Sequence, residues 1–254
     1  MIKIERDYRY NIIIIGVGGT GSHLISFLSQ LIGNNKVFKA KHSIVLVDGD
    51  EVEAKNLRTQ KFLQSDVGKI KSEVLSDRYS TVFGLDISYV DEYINSEEDV
   101  LKLFDRSYDT VNIVVSCVDN NKARRFIDSA FNNTEIKNYN RRGTIYIDTG
   151  NSSGSEELTG QTVVAYRNSE KIVLPSASTY FPQMLIEEED EEEPVASCGE
   201  VMLENIQNLG ANITSAITVF NILNNIIGFN QIPGDLFMFN ATKIETESMR
   251  INIA

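Results

Sequence analysis

Cysteine is nearly absent from this chain of 254 residues: Cys117 and Cys198 are the only two, and no C-x-x-C pair occurs. That excludes a disulfide framework and a thiolate zinc site, so no structural zinc is expected. No apolar stretch approaches the ~20 residues that a membrane span needs. The start, Met1 to Asp7, lacks the apolar core of a signal peptide, so the sequence reads as a soluble, cytoplasmic protein without a membrane partner. Basic residues are also scarce, 24 Lys and Arg against 36 Asp and Glu, for a formal charge of −12. A nucleic-acid partner, which calls for a basic face, is therefore not expected. Histidine occurs twice: His23 reads as a packing or solvated residue on a helix, and His42 as a loop residue before a strand.

What is present is concentrated near the start. Asn11 to Ile15 contain four consecutive isoleucines, a pattern for a parallel strand covered on both faces. Gly16, Gly18, Gly19 and Gly21 follow as G-x-G-G-x-G, and residues 22–32 read as a helix. A strand, a glycine turn and a helix start together form a cradle for nucleotide phosphates. Further strands are expected at 43–48, 85–90 and 111–117, alternating with helices at 68–79, 97–104 and 120–129. The fold class is α/β, a doubly wound Rossmann-like sheet with a parallel N-terminal half and a mixed or antiparallel C-terminal half. Strands at 144–150 and 161–166, a long helix at 205–228 and a closing hairpin at 236–240 and 247–253 complete that second half. The chain reads as a single domain over 1–254: a nucleotide-binding half at 11–130, a flexible acidic loop at 176–199, and a C-terminal helix and hairpin at 200–254. Within the loop, Glu187 to Glu193 are all carboxylates, a solvated segment, a surface for a basic partner or a flexible lid before Cys198.

The glycines and Asp48 alone would suit a dinucleotide enzyme using NAD. Other motifs argue for a different nucleotide. Asp48-Gly49-Asp50-Glu51-Val52-Glu53 leads through Asn56-Leu57 to Gln60; Gly68-Lys69-Ile70-Lys71 and Asp119-Asn120 follow. In this order and spacing the chain resembles the ThiF/MoeB/ubiquitin-activating adenylyltransferase family over residues 11–130. Among its branches the chain is most similar to stand-alone bacterial members, including the plasmid-borne PRTRC type. The resemblance implies a Mg²⁺-ATP-dependent adenylyltransferase acting on the C-terminal carboxylate of a small ubiquitin-like or ThiS/MoaD-like protein. It implies that Gly16, Gly18, Gly19 and Gly21 line the nucleotide, that Asp48 holds the ribose, and that Asp50, Asn56, Gln60 and Lys71 complete the site. Lys71 would contact phosphates, with Lys69 as its rival, and Asp119 would hold Mg²⁺.

The chain also departs from that pattern. Where the family carries an arginine three residues past the asparagine, Thr59 stands, and Arg58 lies one residue early. Three explanations stand: Arg58 substitutes, Lys61 or another cation does so, or nucleotide is bound without efficient turnover. Arg6 and Arg9 lie where some relatives contribute an arginine to the other subunit. Cys198 is a candidate nucleophile for a thioester or an inert thiol; Cys117 reads as packing. Homodimers are usual in the family, and Ile213, Ile217, Phe220 and Leu223 form a stripe suited to an interface or to the core. A nucleotide-binding scaffold or regulator of the same fold is the alternative function.

Overall fold

The structure is a computed structural model. It describes residues 1–4, 8–134, 136, 142–151, 157–186 and 198–249, with the side chains of 198–208 excepted. Arg6 and the acidic run 187–193 lie outside the described residues.

Strands β1 (Ile2–Lys3), β2 (Arg9–Ile15), β3 (Ser43–Val47), β4 (Ile87–Val90), β5 (Thr110–Ser116), β6 (Thr144–Asn151), β7 (Thr159–Arg167), β8 (Ile172–Leu174), β9 (Gln231–Ile232), β10 (Leu236–Asn240) and β11 (Glu245–Met249) alternate with helices α1 (Gly19–Gly33), α2 (Lys36–Lys41), α3 (Lys71–Phe83), α4 (Glu97–Lys102), α5 (Asn121–Asn132), α6 (Ala177–Tyr180) and α7 (Cys198–Phe229). The main sheet runs β4-β3-β2-β5-β6-β7-β10-β11, with β8 added to β7. Pairs from β4 to β6 are parallel; those from β6 onward are antiparallel. The mixed sheet follows from the connections: helices span the parallel crossovers, whereas only residues 152–158 separate β6 from β7.

The isoleucines explain the layering. Side chains alternate along β2, so Ile12 and Ile14 join the core under α1, α3 and α7, while Ile13 and Ile15 join the core under α4 and α5. All four are at most 3% exposed. Helix α7 settles the apolar stripe. Leu223 is buried and Phe220 packs edge-on against Phe27 of α1, ring centroids 5.9 Å apart, so this part is core; Ile217 stays exposed. Among the described residues no helix is long and apolar enough to cross a membrane.

Several bounds differ from the sequence reading. Helix α1 begins at Gly19, because the turn residues themselves form the first helical turn. Helix α3 begins at Lys71, since Gly68 sits at φ +84°, outside helical space. Residues 177–185, read as loop, form α6 and a 3-10 turn anchored by buried Ala177 and Met184. His42 caps α2 and is buried, its Nδ1 accepting the Tyr10 N–H at 3.2 Å. Burial lowers its pKa to about 4.

Gly21 is a packing glycine. A Cβ there would lie 2.0 Å from the carbonyl oxygen of Gly16, so α1 can cross β2 this closely only without a side chain. Gly21→Ala gains helix propensity of at most about 1 kcal/mol. The overlap with backbone outweighs it, and a net loss of about 1–3 kcal/mol is expected. At Gly18 the nearest atom would be Gln60 Nε2 at 3.7 Å, an ordinary contact, so Gly18→Ala serves as the mild control. Urea unfolding of both variants checks the contrast, and equal stabilities would refute it.

Candidate active site

Strands β3 and β4 continue from β2 toward one edge of the sheet, while β5 returns to the other side of β2. At such a reversal the loops leaving adjacent strand ends diverge, and a crevice opens at the carboxyl ends. A cavity of about 700 Å³ lies there. The turn after β2 contributes Gly16, Gly18, Gly19 and Thr20; the end of β3 contributes Asp48 and Asp50; the end of β5 contributes Cys117, Asp119 and Asn120. Lys71 enters from the start of α3.

Asp48 is fixed by backbone. Its Oδ2 accepts the Val17 N–H at 2.8 Å and its Oδ1 the Asp50 N–H at 2.9 Å. Burial pushes its pKa up, against the pull of those two donors. Each oxygen keeps a lone pair for a further donor. Asp50 carries the other charge contact, with Lys71 Nζ 2.7 Å from its Oδ2 and the Tyr93 hydroxyl donating to its Oδ1. Burial works against the Asp50 carboxylate, but the hydrogen bonds from Lys71 and Tyr93 outweigh it and hold the pKa below its ordinary value. The same bond pushes the Tyr93 hydroxyl up to about 12. Lys71 is only 6% exposed, so the pair delivers a cation to the cavity wall that could not stay buried alone.

Asp119 stands apart from this pair. It is exposed at the cavity, with Asn120 Nδ2 at 3.4 Å, while Asn120 Oδ1 caps α5 by accepting the Ala123 N–H at 2.9 Å. Asn120 thus serves as the helix cap, and Asp119 is left with its carboxylate at the cavity. Gln60 also lines the cavity, with its Oε1 buried and unpartnered among the described residues. Thr59 faces the cavity as well, its carbonyl accepting from His23 Nε2 at 3.1 Å. Burial lowers the pKa of His23, which packs as expected.

Other expected site residues are not on the cavity wall. Asn56 is buried, its Oδ1 accepting the Glu53 N–H at 2.8 Å, so it shapes the 3-10 turn Ala54–Arg58. Arg58 ends that turn, exposed and outside the lining. Cys198 opens α7, and its side chain lies outside the described residues. Cys117 borders the cavity, but burial, then Asp148, pushes its thiol to about 12, which keeps it protonated.

The sequence reading missed Tyr93, Lys122, Arg124, Asn151 and Asn212, all in the lining. Arg124 Nη2 donates to the carbonyls of Val118 at 3.0 Å and Thr149 at 3.1 Å, tying the ends of β5 and β6 together. Its Nε lies 3.7 Å from Asp148 Oδ1. The pair Asp119-Asn120 followed by an arginine one helical turn later was the signal available for Arg124. None of the others belongs to a local pattern.

Residues 5–254 match the ThiF family. The chain belongs to the ThiF family. Three solved structures have the same fold: PaaA, 16% identical, covering 95% of this chain and 64% of PaaA, with a TM-score of 0.62; E. coli MccB with ATP, 18% identical, covering 96% and 65%, at 0.61; and E. coli MccB with AMPCPP and MccA, 17% identical, covering 98% and 66%, at 0.60. This ThiF-family chain thus spans slightly less than two thirds of the length of those structures. A comparison with curated proteins gave no match.

Removing Asp50 strands the Lys71 ammonium against the wall. Asp50→Ala is expected to lower stability by about 1–3 kcal/mol, toward the lower end because the Asp50 side chain is 47% exposed. Asp50→Ala with Lys71→Met should recover part of that loss. A double-mutant cycle by denaturant unfolding reads the coupling, and strictly additive losses would mean the pair contributes nothing.

Proposed function

We propose that this chain is a Mg²⁺-ATP-dependent adenylyltransferase that activates a carboxylate. The observation that carries the proposal is the convergence, in one crevice, of the glycine turn, Asp48, Lys71 and Asp119 from four separate segments. The likeness to MccB, whose structures include one with ATP and one with AMPCPP and MccA, supports a nucleotide together with a second substrate.

The chemistry follows from the placement. A carboxylate oxygen of the substrate attacks the α-phosphorus of ATP; the bond to the β-phosphate breaks, and pyrophosphate leaves with its electron pair. Gly18, Gly19 and Thr20 present the start of α1 to the phosphates. Asp48, already oriented by two backbone donors, receives the ribose hydroxyls on its remaining lone pairs. Lys71 turns from Asp50 toward the phosphates as charge moves onto the leaving group.

The donor set suits a magnesium ion that arrives with its nucleotide. Among the described residues no group of three ligating side chains could form a cage, and Mg²⁺ is commonly held by one or two carboxylates plus substrate phosphates. Asp119 is the residue that would hold it, and the ion would supply neutralisation of phosphate charge.

The substrate class proposed is the terminal carboxylate of a small ubiquitin-like or ThiS/MoaD-like protein, with Cys198 as the candidate acceptor of a later thioester and a homodimer as the working assembly. A second reading, a nucleotide-binding scaffold with little turnover, is favoured by one observation: Thr59 faces the cavity where the family pattern places arginine, and Arg58 does not.

Calorimetric titration with ATP and with NAD, each with Mg²⁺, tests the proposal. Mg²⁺-dependent ATP binding that weakens at least about tenfold in Asp119→Ala is expected. NAD binding indifferent to that variant would refute it. Pyrophosphate exchange into ATP, measured with a candidate partner, separates the two readings. Arg58→Ala is expected to leave exchange unchanged, and its loss would return Arg58 to the mechanism.

A further inference from the structure

Helix α7 brings one side chain to the glycine turn from 192 positions away in the chain. Asn212 Oδ1 accepts from Asn151 Nδ2 at 2.8 Å and from Thr20 Oγ1 at 3.4 Å. Asn151 is held in turn, its Oδ1 accepting from the Ser215 hydroxyl, which itself lies 3.3 Å from Thr149 Oγ1. With two donors converging on its oxygen, the Asn212 carboxamide turns its NH₂ toward Gly19. A Cβ on Gly19 would lie 2.4 Å from Asn212 Nδ2, so the amide rests where a side chain would otherwise be. Asn212 lines the cavity beside Gly18, Gly19 and Thr20.

An amide donor held by its oxygen and laid over the first residues of a helix beside the cavity is chemically suited to an anionic oxygen. We infer that Asn212 is a substrate-contacting residue whose amide donates to the phosphate oxygens of the bound nucleotide, with Asn151 as the positioning residue that orients it. This rests on the ATP reading above and adds to it a contact from helix α7, beside the glycine turn. Of the lining residues on this side, Thr149, Asn151 and Asn212 carry no formal charge, and Arg124 is held on the Thr149 carbonyl.

Asn212→Ala removes the amide donor without adding charge, while Asn212→Asp keeps an oxygen for Asn151 and Thr20 but replaces the donor by a charged acceptor, so the Ala variant reads the hydrogen bond and the Asp variant reads it together with charge repulsion. The probes are Mg²⁺-ATP and adenosine, titrated calorimetrically into wild type, Asn212→Asp and Asn212→Ala. ATP affinity is expected to fall at least about tenfold in the Asp variant and severalfold in the Ala variant. Adenosine, which lacks phosphates, should bind all three alike. In the Asn212→Ala background, Asn151→Ala should add nothing. Unchanged ATP affinity in Asn212→Asp, or equal weakening of ATP and adenosine, would overturn the inference while leaving the nucleotide site standing. Wild-type protein that binds neither probe would reject the nucleotide site itself, and the inference with it.

Discussion

A parallel sheet buried on both faces constrains everything else in this molecule. Strands β2, β3 and β5 are rich in β-branched residues that allow no face to meet water, so helices must cover both sides. Covering both sides requires crossovers that leave β2 in opposite directions, and this divergence opens the crevice between the ends of β2 and β5. The residues lining the crevice then need little local support of their own. The glycine turn, Asp48 and Asp119 reach the crevice because they sit at carboxyl ends of strands or in the loops just beyond them. Lys71 reaches it because α3 starts where β3's loop has returned, its backbone N–H bonded to the Asp50 carbonyl at 2.9 Å.

Within the crevice, charge is held in compensated pairs. Lys71 is nearly buried yet charged, which is tolerable only because Asp50 lies 2.7 Å away and shares its other oxygen with Tyr93. Arg124 is similarly occupied by two carbonyls and by Asp148, which leaves it as a brace between β5 and β6 more than a free cation. The architecture thus stores its positive charge in places where a stronger anion can compete for it. A phosphate offers Lys71 more charge than Asp50 does, and Asp50 remains solvated and hydrogen-bonded when the lysine turns away.

How much of this was legible in the sequence depended on separation along the chain. The isoleucine run, the glycine turn, Asp48, Lys71 and Asp119 were all readable, because strand, turn and helix start are contiguous and each leaves a short pattern. Gly21 was readable as a motif position but not in its role; only the lack of room for a Cβ, which would lie 2.0 Å from the Gly16 carbonyl oxygen, assigns it to packing. Asn56 belonged to the motif and proved to serve the turn that carries Thr59 and Gln60. Asn151, Asn212 and Ser215 left no signal, since neutral amides and hydroxyls are common in sequence. Their alignment exists only after α7 has packed along α1 and β6. The separate packing of Arg58 and Thr59 was equally hidden: one residue of register in a 3-10 turn decides which of them faces the cavity.

That register bears on the nucleotide. The cavity wall carries four carboxylates, Asp48, Asp50, Glu92 and Asp119, against three cations, Lys71, Lys122 and Arg124. A triphosphate entering this wall meets a net negative surface, and two of the three cations are already engaged. The family arginine would have shifted this balance by one charge, and Thr59 forgoes it. On the proposed reading, the compensating charge comes from a divalent ion at Asp119 and from Lys71 as it turns from Asp50, and uncharged donors, the first N–H groups of α1 and the Asn212 amide, add hydrogen bonds. Such donors act without desolvating a buried charge, so they stabilise phosphate oxygens at lower cost than another buried ion pair would. The chain therefore combines a glycine turn typical of its family with a polar wall drawn from its own C-terminal helix.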